Sequence, residues 1–212
     1  TKTLTNYSVD PVNGDFKRIS SVASGNAPTD IAHDPKGRTV YIANSGDDNV
    51  TVFKIDPKTG KMSRNFASPH PMGAGPTQIK IDINGWYLYV LNEKASTVSM
   101  HLMHIDSGEL AEAVGSPMAV SEGTNKIALD NVARFSYSIN TREKLISAYR
   151  TRAAITPARF ESKKYGSPFK LHTKIGDFIT DPNGRWAVVS NSDKNSLSVY
   201  EVMFSNGALF EI

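Results

Sequence analysis

The stretch that decides the fold is residues 82–101, which read DINGWYLYVLNEKASTVSMH. An Asp-x-x-Gly turn, from Asp82 to Gly85, leads into a β-rich run that ends at Asn92. A second run, rich in β-branched and alternating residues, begins six positions later at Val98. Such runs, bounded by turn residues, are typical of half-buried strands. Residues 82–101 therefore predict two antiparallel strands joined by a short turn.

The same pattern occurs four times along the chain. The asparagine that ends the first run recurs 48, 48 and 51 positions apart, as Asn44, Asn92, Asn140 and Asn191. An apolar strand precedes each Asp turn, and a hairpin signal such as Asp56 to Gly60 follows the second run of most copies. A sandwich has no reason to repeat a four-strand unit, whereas a β-propeller repeats one in every blade. We predict an all-β propeller of four-stranded antiparallel blades, with innermost strands near residues 29–33, 77–81, 125–129 and 175–179.

We expect a single propeller domain over residues 1–212, and we expect it to be incomplete. Residues 1–24 match the outer half of a blade, because Asp10 and Gly14 align with Asp56 and Gly60. Complete blades are predicted at about 25–67, 68–115, 116–166 and 167–212, which makes about 4.5 blades and no closed ring. An open end leaves a strand edge and an apolar face uncovered. We therefore expect missing blades or a protein partner to cover the open edge.

Composition excludes several classes of protein. The 212 residues include 39% hydrophobic and 21% charged residues, which argues against disorder, and the net charge of +3 is too small to indicate nucleic-acid binding. Basic residues concentrate between Arg142 and Lys174, and we interpret them as a solvated edge. The sequence contains no apolar run of about 18 residues, so no membrane-spanning helix is predicted. The absence of cysteine excludes disulfides and thiolate sites, but leaves the compartment open between bacterial periplasm and cytoplasm.

Particular residues also carry a family resemblance. They are residues 41–44 with 49–53, residues 89–93 with 96–99, Gly75-Pro76, Gly115-Ser116-Pro117 and Gly166-Ser167-Pro168. In these residues the chain resembles the bacterial lactonase-type, or YVTN-repeat, seven-bladed propellers, whose known activity is that of a 6-phosphogluconolactonase. Seven blades of this period would need roughly 336 residues, so the resemblance implies that about a third of the ring lies outside this sequence.

The innermost strands of a propeller line its central channel, so ligands meet residues at the start of those strands and on nearby loops. This arrangement indicates a rim of acid, amide and amine groups, suited to a small polar or anionic ligand. The candidate binding residues are Asp30, Gln78, Asn92, Lys126, Arg142, His172 and Lys174. Asn92 also has a structural interpretation, because an asparagine at a turn can bond the local backbone.

The resemblance further implies where lactone chemistry would lie. Family members that act on lactones carry an Arg-His pair after Gly-Pro and a glutamate after the blade asparagine. Glu93 matches that glutamate and is the catalytic candidate, but Thr77 and Gln78 follow Gly75-Pro76. Lactone hydrolysis needs both a base for water and a group that stabilises the oxyanion, and one carboxylate cannot fill both roles. We therefore expect a non-enzymatic propeller scaffold or binding module, with a lactonase-type hydrolase seen in part as the alternative.

No cofactor or metal is expected from the sequence. The chain has no Asp-x-Asp-x-Asp-Gly calcium loop, although Asp47 and Asp48 are adjacent. His101 and His104 are three positions apart on and beyond a predicted strand, where side chains point to opposite faces. A joint zinc site at these two histidines is therefore not predicted.

Overall fold

The computed structural model describes residues 2–104, 106–152, 159–164 and 168–212, without the side chains of Arg152 and residues 159–164. In these ranges every regular element is a β-strand, and no helix occurs. The strands form four antiparallel sheets of four or five strands and one sheet of two strands. The all-β prediction is confirmed, while Gly166 and Ser167 lie outside the described residues.

The first two sheets follow the predicted order of strands. The half-blade consists of β1 (Thr3–Val9) and β2 (Phe16–Ala23). Blade 1 has the order β3 (Pro28–His33), β4 (Thr39–Asn44), β5 (Asn49–Ile55) and β6 (Met62–Arg64), with the short β7 (His70–Pro71) also paired to β5.

The remaining blades repeat this arrangement. Blade 2 has β8 (Pro76–Ile81), β9 (Tyr87–Asn92), β10 (Thr97–Met103) and β11 (Leu110–Glu112), with β12 (Met118–Ala119) on β10. Blade 3 has β13 (Lys126–Leu129), β14 (Phe135–Asn140), β15 (Leu145–Arg152) and β16 (Arg159–Lys164), with β17 (Phe169–Lys170) on β15. Blade 4 has β18 (Ile175–Thr180), β19 (Trp186–Asn191), β20 (Ser196–Val202) and β21 (Leu209–Glu211). The innermost strands β3, β8, β13 and β18 coincide with the four predicted ones.

The Asp turns are built by local hydrogen bonds. One carboxylate oxygen of Asp82 accepts the backbone N–H groups of Trp86 and Tyr87, at 2.8 and 2.6 Å. Asp34 binds the N–H groups of Arg38 and Thr39 in the same way, at 2.7 and 2.6 Å. Asp181 binds the N–H of Trp186 at 2.7 Å. In these three repeats the bonds join the turn to the first residues of the second strand, so the aspartate fixes where that strand starts.

The hydrophobic core lies between successive blades. Val50 and Val52 of blade 1 pack with Ile79 and Val90 of blade 2. The joint between blades 2 and 3 contains Met100 and Ile127, and the joint between blades 3 and 4 contains residues from both sheets as well. We call the face of a blade that packs on the following blade its forward face, and the opposite one its back face.

The array of blades is open. In the described part of the chain, β1 pairs with β2 and with no strand of blade 4. The half-blade instead packs its Leu4 and Val22 on Phe53 of blade 1. The described residues therefore form a partial propeller whose ring is not closed.

Candidate functional site

Glu93 follows β9 directly, at the end of the blades where the second strands finish. Its backbone N–H donates to the carbonyl oxygen of Gly75 at 2.8 Å, and its own carbonyl accepts the N–H of Ser96 at 3.2 Å. The side chain is exposed. The turn therefore holds the backbone of Glu93 in place while its carboxylate remains open to a ligand.

A cavity of about 480 Å³ lies beside Glu93, and we call it the end cleft. Blades 1 and 2 and the loop before blade 3 all contribute to its walls. Its polar side chains are those of Ser45, Thr77, Glu93, Lys94, Ser96 and Glu122. The cleft thus combines two carboxylates, one ammonium group and three hydroxyls, a set suited to a polyhydroxylated molecule.

Gly75 shapes the wall of the end cleft. Its φ is +66°, and a Cβ added there would lie 2.6 Å from Cγ of Lys94. Its N–H donates to a carboxylate oxygen of Asp48 of blade 1 at 2.7 Å. Glycine at this position therefore allows both the left-handed backbone and the close passage of the Lys94 side chain.

Three predicted rim residues connect one blade to the next along the innermost strands. Asp30 accepts the backbone N–H of Ile79 at 2.8 Å, and Gln78 accepts that of Ile127 at 2.6 Å. Lys126 donates to the carbonyl oxygen of Gly176 at 2.6 Å and forms an ion pair with Asp177 at 3.2 Å. The structure brings these residues together as one row, and in each the polar end of the side chain bonds the adjacent blade.

A second cavity, of about 430 Å³, follows the innermost strands of blades 2, 3 and 4. Gln78, Lys80, Asn131 and Asp177 are among the side chains that line it. This groove corresponds to the channel surface that the sequence analysis expected. Gln78 is the one predicted binding residue among the residues that line it.

The structure corrects the alignment of Lys174. In each blade the rim position lies 14 residues before the repeat asparagine, as Asp30 does before Asn44, and in blade 4 this position is Asp177. The carbonyl oxygen of Lys174 accepts the N–H of Ser192 at 2.9 Å, the same bond that Gly75 forms with Glu93. Lys174 therefore lies in the loop before β18. Sequence reasoning missed Asp177 because the three extra residues of the fourth repeat precede that strand.

Asn92 is buried inside blade 2. Its side-chain nitrogen donates to the hydroxyl oxygens of Thr97 at 3.2 Å and Ser99 at 2.8 Å. Asn44 forms the equivalent bond with Thr51 at 2.8 Å. The structure thus places Asn92 where a ligand does not reach it, and its amide ties two strands together.

Arg142 and His172 are both exposed, away from the walls of the end cleft. Arg142 lies in the turn after β14, and His172 lies in the loop between β17 and β18. His101 is buried and His104 is exposed, as expected for side chains on opposite faces. Among the described residues, no three His, Asp or Glu side chains are grouped as a metal site requires, and no helix could cross a bilayer.

The first third of the chain matches a family of known proteins in sequence. Residues 1–72 match the model of the family described as "Lactonase, 7-bladed beta-propeller". The resemblance to the lactonase-type propellers is confirmed. No curated protein matches the chain in sequence.

Solved structures of lactonase-type propellers share the fold. A "putative 6-phosphogluconolactonase" from Bacteroides fragilis matches with a TM-score of 0.80 and 18% identity, over 100% of this chain and 64% of that one. Its counterpart from Bacteroides uniformis gives 0.81 and 18%, over 99% of this chain and 64% of that one. The periplasmic gluconolactonase of Pseudomonas aeruginosa gives 0.72 and 17%, over 99% and 65%. The chain therefore spans just under two thirds of these proteins, and at such identities the likeness shows the fold alone.

Proposed function

We propose that this chain is part of a lactonase-like propeller hydrolase, and that its end cleft binds a sugar lactone. The match of residues 1–72 to a lactonase family supports this proposal, as do the descriptions of the similar structures as 6-phosphogluconolactonases and a gluconolactonase. The comparisons favour the hydrolase alternative over the non-enzymatic scaffold that the sequence analysis preferred. The observation that carries the proposal is the end cleft, whose walls contain Glu93 together with Lys94 and three hydroxyl-bearing residues.

The chemistry of lactone opening assigns roles to these groups. Water adds to the carbonyl carbon and loses a proton, negative charge develops on the carbonyl oxygen, and the ring oxygen leaves with a proton. In the proposal the Glu93 carboxylate takes the proton from water and gives it to the ring oxygen as the carbon–oxygen bond breaks, while the Lys94 ammonium stabilises the charged carbonyl oxygen. The hydroxyls of Ser45 and Ser96 bind hydroxyl groups of the sugar.

One pair of residues that the family resemblance implies for lactone hydrolysis is missing from this sequence. The missing residues are the Arg-His pair. Removing one oxyanion donor typically slows hydrolysis about 100-fold or more. We therefore propose that the chain binds the lactone, and that full turnover requires residues of the remaining blades.

The test is calorimetric titration of the purified chain with gluconolactam, a stable neutral analogue of gluconolactone. We expect saturable binding that weakens at least about tenfold in Glu93→Gln, because the carboxylate hydrogen-bonds the sugar. Glu143→Gln, which changes an exposed carboxylate in a turn of blade 3, is the matched control. Both variants should unfold at the wild-type temperature, because exposed side chains contribute little to stability.

Three outcomes would contradict the proposal in whole or in part. No saturable binding by the wild-type chain, or equal losses in both variants, would contradict the end cleft as the lactone site. Proton release from gluconolactone should run at the spontaneous rate with this chain. Faster release that Glu93→Gln abolishes would support hydrolysis but contradict the need for further blades.

A further inference from the structure

The charges in the walls of the end cleft bear on which sugar lactones it can hold. Glu93 and Glu122 contribute two carboxylates, and Lys94 contributes one ammonium group. In the part of the chain that the structure describes, none of these three side chains forms an ion pair, so no other residue neutralises them. Two negative charges and one positive charge leave the walls of the cleft with a net charge of −1.

A further carboxylate lies beside the cleft. Asp48, in the turn after β4, accepts the N–H of Gly75 in the cleft wall at 2.7 Å. Its side chain is exposed, and it forms no ion pair with any residue in the described ranges. The surroundings of the end cleft are therefore more negative than its walls alone.

The carboxylate of Glu122 is one that the repeat does not require. Glu122 lies 18 positions before Asn140, and the residues at that distance before the other repeat asparagines are uncharged: Asn26, Ala74 and Thr173. The carbonyl oxygen of Glu122 accepts the side-chain N–H of Asn140 at 2.9 Å, which holds the backbone in place. The side chain itself is exposed. The backbone of Glu122 thus serves the fold, while its carboxylate is free to act on a ligand.

The end cleft lies away from both ends of the array of blades. Its walls come from blades 1 and 2 and the loop before blade 3, and none of its lining residues lies on the forward face of blade 4 or the back face of the half-blade. Its volume of about 480 Å³ is ordinary for a small-molecule site, so size does not exclude a phosphate group on the sugar. A phosphate monoester carries about 1.5 to 2 negative charges at neutral pH. Charge, and not size, therefore separates neutral from phosphorylated lactones at this cleft.

We propose that the end cleft selects neutral sugar lactones over phosphorylated ones, and that Glu122 is the residue that sets this preference. The inference rests on the proposed function and names the class of substrate. A phosphorylated lactone brings about two negative charges to walls that are already negative, and Lys94 is matched by Glu93 next to it in the chain. Across a few ångströms of water, this repulsion weakens binding about tenfold. The preference would distinguish this chain from the similar Bacteroides structures, whose descriptions name a 6-phosphogluconolactonase.

Calorimetric titration of the whole chain with two probes tests the proposal: gluconolactam, and the same lactam with a phosphate on carbon 6. We expect the wild type to bind gluconolactam about tenfold more tightly at low ionic strength. Raising the salt from about 20 mM to about 500 mM should remove most of this difference, because salt screens charges. In Glu122→Gln the ratio of the two Kd values should fall to about threefold or less, because the walls lose their net charge. The ratio is the readout, since a hydrogen bond lost to both ligands cancels in it.

Glu143→Gln is the control, because it removes an exposed carboxylate from a turn of blade 3 outside the cleft, and it should keep the wild-type ratio. If neither lactam binds the wild-type chain, the proposed function fails and this inference fails with it. If gluconolactam binds but the phosphorylated lactam binds equally well or more tightly, the proposed function stands and the inference is wrong. A ratio that Glu122→Gln leaves unchanged, or that Glu143→Gln lowers as much, would contradict the role of Glu122.

Discussion

The repeat asparagine joins two strands of a blade through the hydrogen bonds of its side chain. The Asn92 amide bridges Thr97 and Ser99 inside blade 2, and Asn191 bonds Ser196 and Ser198 at 3.1 and 2.9 Å in blade 4. The position seven residues after the asparagine is a serine or threonine in every copy of the repeat. The buried Ser99 hydroxyl accepts from the amide nitrogen of Asn92, so each of these two polar groups has a partner inside the blade.

We predict that Asn92→Ala lowers the free energy of unfolding by about 1 to 3 kcal/mol, because it leaves buried hydroxyls without their donor. Urea unfolding measures the change, and Asn84→Ala, at an exposed turn position, should change it by less than about 0.5 kcal/mol. In a double-mutant cycle, Asn92→Ala and Ser99→Ala should cost less together than the sum of their separate costs. A cost for Asn92→Ala no larger than that of the control would contradict the structural role.

At the scale of elements, the Asp turns start each second strand, and the residue at the fourth position takes a left-handed backbone. Its φ is +65° at Gly37, +71° at Gly85 and +64° at Gly184, and in blade 3 Ala133 occupies the position with φ +57°. In the third repeat the turn also contains an ion pair, because Arg134 binds Asp130 at 2.8 Å. Burial raises the pKa of Asp130, while its hydrogen bonds to Val132 and Arg134 oppose that shift.

Gly37→Ala should destabilise the protein by about 1 to 2 kcal/mol, because a side chain in the left-handed region costs that much. A Cβ added at Gly37 meets no atom within 4 Å, so the backbone conformation alone sets the cost. Gly85→Ala should cost more, since its Cβ would lie 2.6 Å from Cδ of Pro35. Thermal unfolding of both variants, with Lys36→Ala as the control, measures the order. Equal stability of Gly37→Ala and the wild type would show that the turn does not require glycine.

At the scale of the whole molecule, stability depends on pH through the buried His101 of blade 2 and the half-buried His70 of blade 1. Burial lowers the pKa of His101, and the nearby charge of His70 adds to this, whereas Glu112 opposes it. Burial lowers the pKa of His70 as well, against the influence of Glu109. The folded protein therefore binds fewer protons at these histidines than the unfolded chain does.

We predict that these histidines leave the free energy of unfolding unchanged above about pH 6.5 and lower it as the pH drops further. Below that pH the histidines of the unfolded chain take up protons, whereas the same histidines in the folded protein remain neutral. Urea unfolding at about pH 7.5 and about pH 5.5 measures the loss. His101→Gln should reduce this loss, and His104→Gln, at an exposed position, should not. A loss of the same size in His101→Gln would rule out His101 as its source.

The sequence by itself determined the strands, their turns and the number of blades. Asp82, Gly85 and Asn92 act through bonds to residues a few positions away, so their pattern is local and can be read as a period of 48. The candidate Glu93 could likewise be found from its place after the asparagine. The end cleft around it could not, because three parts of the chain meet there.

Only the tertiary structure decided how the blades are joined. Asp30 bonds the backbone of Ile79, 49 positions along the chain, and no local pattern records a contact at that distance. Lys174 was predicted at the rim because it lies one period of 48 after Lys126, whereas the fourth repeat has three extra residues and the register of β18 places Asp177 there. Gln78 likewise accepts the N–H of Ile127, 49 positions along the chain. These contacts join residues of two blades, so they are a property of the assembled sheets and not of either residue.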